Sequence, residues 1–114
     1  MENNVFYVYI RLRNTPLTEL PLSVRETLHS DYGENKILSL SVCKEREIEA
    51  CLAEKVKFWK ESMANVETNL GAAELVIHQI QTSNGGLELS HTIMGAIAEA
   101  KLALHITYTV CKLI

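Results

Sequence analysis

Between Val5 and Arg13, two phenols and two guanidiniums occupy alternate positions: Tyr7, Tyr9, Arg11 and Arg13. Groups of these types stack on flat partners, donate hydrogen bonds and pair with anions. The positions between them, Phe6, Val8, Ile10 and Leu12, are all apolar. Side chains alternate across a strand, so the pattern predicts a core face and, opposite it, a Tyr/Arg face. Such a face fits two kinds of partner. Tyrosine and arginine are enriched where proteins meet proteins. Strand aromatics with neighbouring arginines also bind RNA or single-stranded DNA, by stacking on bases and contacting phosphates. The net charge of −3 and the lack of a Lys/Arg-Gly-Phe-Gly-Phe-Val run favour the protein partner.

Other chemistry-bearing residues are sparser. Cys43 is expected at the end of a strand just before a long helix, where the helix dipole would favour its thiolate. Against a nucleophilic role, the following Lys44-Glu45-Arg46-Glu47 is of mixed charge, and no histidine is tied to Cys43 by spacing. Cys51 and Cys111 read as packing residues. His29, His78, His91 and His105 show no HxH, HxxxH or HExxH spacing, which argues against a zinc site. A pairing of His78 or His105 with Cys43 or Cys111 is the one metal alternative, and no metal or cofactor is expected. Most carboxylates are assigned to the solvent face of the long helix, where nothing separates their pKa values for acid–base work. Gly85-Gly86 lacks a phosphate-loop pattern and reads as a turn.

These residues must be carried by one domain spanning residues 1–114, a length that builds a core without staples. Three cysteines without CxxC spacing, and an N-terminus Met-Glu-Asn-Asn unlike a secretory signal, point to the cytoplasm and reduced thiols. No apolar run approaches the roughly 20 residues a bilayer span needs, so no membrane partner is expected.

The first strand ends at Asn14-Thr15-Pro16, since Pro16 cannot donate to a ladder. Pro21 to about His29 is predicted as a short helix with Leu20, Val24 and Leu28 on one face. Ser30–Asn35 reads as a turn. Ile37–Cys43 reads as a strand with Leu38, Leu40 and Val42 on its apolar face and Ser39, Ser41 and Cys43 opposite. From about Lys44 to Leu70, Ile48, Leu52, Val56, Trp59, Met63, Val66 and Leu70 recur at helical spacing, with Gly71 suited to end the helix. Ala73–Thr82 reads as a strand with apolar residues on both faces, as in a central position. A turn at Ser83–Gly86 follows. Residues 87–93 fit either a hairpin strand or a helix. The Ala-rich run after them favours a helix over about Leu89–Leu102. Leu104 to about Leu113 is the last strand, with His105, Thr107 and Thr109 on its polar side.

The expected order is β-α-β-α-β-α-β, about four strands with helices on one face. That is an α+β two-layer sandwich, ferredoxin-like or related in architecture. Function is expected to be non-catalytic: a small intracellular interaction or regulatory protein, homodimeric, binding a partner protein through a sheet face or edge. Its interaction surface is expected at Tyr7, Tyr9, Arg11, Arg13, His105, Thr107 and Thr109. An accessory or inhibitory factor of viral or mobile-element origin would share these features. The alternatives are a nucleic-acid module using the Tyr/Arg row, and a small enzyme built on Cys43 or a sheet histidine.

Overall fold

Strict alternation makes β1 (Val5–Arg13) the organising strand. Phe6, Val8, Ile10 and Leu12 are wholly buried, while every odd position from Val5 to Arg13 keeps some exposure. The computed structural model describes residues 5–64, 66, 73–81 and 87–110. Within them are helices α1 (Leu22–Arg25), α2 (Ile48–Met63) and α3 (His91–Glu99) and strands β1, β2 (Leu28–Asp31), β3 (Asn35–Lys44), β4 (Ala73–Gln81) and β5 (Ala103–Val110). The fold is mixed α+β.

The five strands form one sheet in the order β2-β3-β1-β4-β5. β1 is antiparallel to both β3 and β4, so the β3-α2-β4 passage straddles it. β4 and β5 are parallel neighbours joined through α3. This corrects the expected four-strand order. The added strand is β2, where a helix was expected as far as His29. Helix α1 is a single turn; Thr27 donates its hydroxyl to the Val24 carbonyl (2.7 Å) just past it, and the chain then pairs with β3. The run β1-α1-β2-β3-α2-β4, ordered β2-β3-β1-β4 in the sheet with antiparallel neighbours, is extended by α3 and by β5 parallel to β4.

The long helix has the expected stripe but a shorter span. Ile48, Leu52, Val56 and Trp59 are buried against β1 and β3, and Met63 is half-buried at its last turn. Residues Glu45–Glu47 form a 3-10 turn ahead of it, closed by the Glu47 carboxylate accepting the Lys44 N–H (3.0 Å). The helix stops at Met63 with Ala64 as its cap, so Val66 is not part of it as expected; Leu70, the Gly71 terminator, the turn at 83–86 and Cys111 lie outside the described residues. Helix α3 begins at Ser90, whose hydroxyl accepts the Ile93 N–H (3.3 Å). The Glu49 carboxylate of α2 accepts both the Ser90 N–H and its hydroxyl, fastening the start of α3 to α2. Residues 87–90 belong to neither helix nor strand, and the helix reading of the following segment stands.

A bulge in β3 overturns the expected facing of that strand. Val8 pairs with Ser41 and Ile10 with Leu38, so β3 has one extra residue between them. Ser39 takes a left-handed backbone (φ 53°) at that point. A bulge of one residue exchanges the faces of everything beyond it. Leu38 therefore enters the core, but Leu40 and Val42 move to the other side of the sheet. Ser39, Ser41 and Cys43 turn toward α2 instead. There the buried Lys55 ammonium donates to Ser39 Oγ (2.9 Å) and Ser41 Oγ (2.6 Å). Burial lowers the Lys55 pKa, and the two hydroxyls replace part of the water the ammonium has lost.

Candidate interaction face

The register assembles the second sheet face residue by residue. On β1 it carries Val5, Tyr7, Tyr9, Arg11 and Arg13. Beside these on β4 are Ile80, His78, Val76 and Glu74, and beyond them on β5 are Thr109, Thr107, His105 and Ala103. On the other flank β3 contributes Val42 opposite Tyr7 and Ile37 opposite Arg11, with Leu40 next to the bulge. The seven residues singled out from the sequence thus share one face. The face has an apolar and aromatic part around Tyr7, Tyr9, Leu40, Val42 and Val76. Val76 is only 1% exposed although it lies outside the core packed by the helices, and Val42 is 60% exposed.

The guanidiniums are not free. Arg11 Nη2 donates to Glu74 Oε2 and Arg13 Nε to Glu74 Oε1, each at 2.8 Å, and His105 Nδ1 lies 3.7 Å from the same carboxylate. The hydrogen bond from Arg11 is the main reason the Glu74 pKa falls below its ordinary value, against an opposing effect of burial. Two guanidiniums against one carboxylate leave one positive charge at this end of the face. Glu74 was missed by the sequence reading, which assigned carboxylates to the helix surface. Its signal was the one acid in a strand otherwise without charged carboxylates, at the same parity as Val76 and Ile80.

His78 joins β4 to β5. Its two ring nitrogens share hydrogen bonds with the hydroxyls of Thr107 and Thr109. A neutral imidazole has one donor and one acceptor, so one threonine accepts while the other donates. This pairing, and the position of Cys43 on the opposite side of the sheet, removes the expected metal alternative for His78 with Cys43. Among the described residues no cluster of three or more His, Cys, Asp or Glu side chains could hold a metal ion.

Cys43 is not placed at the N-terminus of α2. The 3-10 turn Glu45–Glu47 separates it from α2, and burial pushes its pKa up to about 12, aided by the neighbouring Cys51 thiol and by Glu47. A thiol held protonated in this way is a poor nucleophile at neutral pH. Cys43 and Cys51 are both free and buried.

Among the described residues no helix is long and apolar enough to cross a membrane. No family model, no curated protein and no solved structure matches this chain.

Proposed function

We propose that this chain is a small non-catalytic interaction protein that engages a partner protein through the Tyr7/Tyr9 face of its sheet. The reading takes the fold as a two-layer sandwich whose helices cover one sheet face and leave the other open. It further takes the protein to be intracellular, with reduced thiols, and homodimeric. The observation that supports it is the pairing of both guanidiniums with Glu74 beside an apolar, aromatic centre. A phosphate-binding face needs unpaired cations, because counterion release supplies most of the affinity for nucleic acid. Here half of the local positive charge is neutralised and both guanidiniums are engaged, which favours a partner with an apolar centre and a carboxylate near the half-exposed Arg13.

The test compares capture of a native-cell partner by wild type, by Tyr7→Ala/Val42→Asp, and by a Lys57→Ala/Glu61→Ala control on α2. Wild type and control should retain the same partner, and the face variant should lose it while keeping the wild-type circular dichroism spectrum. Equal capture by a folded face variant would overturn the reading. So would tight oligonucleotide binding by wild type at about 50 mM salt that weakens steeply as salt rises.

A further inference from the structure

We propose that β5 is the seam of a homodimer, pairing antiparallel with β5 of a second copy about a two-fold axis at Thr107. The inference rests on the dimeric part of the reading above and names its contact. β5 ends the sheet, so among the described residues its outer N–H and C=O groups have no strand partner. Natural sheets blunt such edges with short strands, bulges, prolines or charges. The opposite edge does so: β2 has four residues, a register shift between Leu28 and Ser30, and Asp31 at its end. β5 has none of these devices. Its eight residues, Ala-Leu-His-Ile-Thr-Tyr-Thr-Val, run in unbroken register with β4 and contain no Lys, Pro, Gly or acid.

The side chains make the edge self-complementary. Leu104, Ile106 and Tyr108 sit on the same sheet side as core residues Leu75 and Ile77. Leu102 and Leu104 are packed with the core, but Ile106 is 46% exposed and Tyr108 68% exposed. A two-fold axis at Thr107 sets Ile106 opposite Tyr108 of the second copy, and Tyr108 opposite its Ile106. Aromatic and β-branched residues form stabilising cross-strand pairs, and the same register puts Thr107 against Thr107. His105 falls opposite Thr109, so no like charges meet. An isologous contact of this kind closes on itself and gives a dimer with no further open edge at the seam.

Sizing with light scattering at high micromolar concentration tests the seam. Wild type should be a dimer. The folded variants Ile106→Lys/Tyr108→Lys and Ile106→Glu/Tyr108→Glu should each be monomeric, and an equimolar mixture of the two should form a heterodimer. Hydrogen exchange on unmodified protein gives an independent reading: amides of β5, but not of β2, should gain protection as concentration rises. A strictly monomeric wild type would overturn the seam, as would a dimer whose β5 protection is independent of concentration or one that survives the Lys double substitution. Partner capture by Tyr7 and Val42 is scored separately, so loss of the seam and loss of the open-face reading give different results.

Discussion

The carboxylate of Glu74 holds two guanidiniums at once, and both consequences are measurable. Its folded pKa lies below the ordinary 4.5, so the ion cluster's contribution to stability is present above that pH and is lost as pH falls below it. Glu74→Gln should flatten this acid limb in denaturation curves and cost about 2 kcal/mol at neutral pH, since Arg11 is largely buried and Arg13 half-exposed. The same variant releases cationic charge and should increase low-salt binding to a single-stranded oligonucleotide; an unchanged titration would mean the arginines were never masked. Cys43 provides the contrasting case. With its pKa pushed up to about 12, native protein should resist alkylation by iodoacetamide at that position through pH 9 and react only on unfolding. Rapid labelling of Cys43 in the folded state would restore a nucleophilic reading.

Two local backbone features govern the elements. At the end of α3 the Lys101 and Leu102 N–H groups bond the Ala98 and Ile97 carbonyls, with Lys101 left-handed (φ 59°) where glycine is usual. Lys101→Gly should therefore stabilise the fold by about 0.5–1 kcal/mol, read as a raised chemical-denaturation midpoint. The bulge at Ser39 has the wider effect, because it sends Leu40 and Val42 to the face that carries Tyr7 and Tyr9. Sequence periodicity could not anticipate it. Ser39 carries no glycine signal, and the Lys55 ammonium that binds its hydroxyl is 16 residues away along the chain. Period-2 reading succeeded on β1, where no bulge interrupts the alternation, and failed on β3 beyond the extra residue.

For the molecule as a whole, the proposed seam at β5 would link association to stability. A dimer that binds only native chains should show a melting temperature that rises with protein concentration in wild type and not in Ile106→Lys/Tyr108→Lys. The sequence by itself determined the two faces of β1, the buried stripe of α2 and the helical nature of α3, because each follows from the spacing of apolar residues along a single element. It also brought out the seven polar and aromatic positions that share a face. Only the tertiary structure decided that Arg11 and Arg13 meet Glu74, that β2 exists as a strand, and that β5 lies at the edge of the sheet beside β4. Those outcomes depend on strand order and register, which join residues far apart in the chain. The α+β class followed from local pattern, whereas the charge and shape of the candidate face followed from which strands became neighbours.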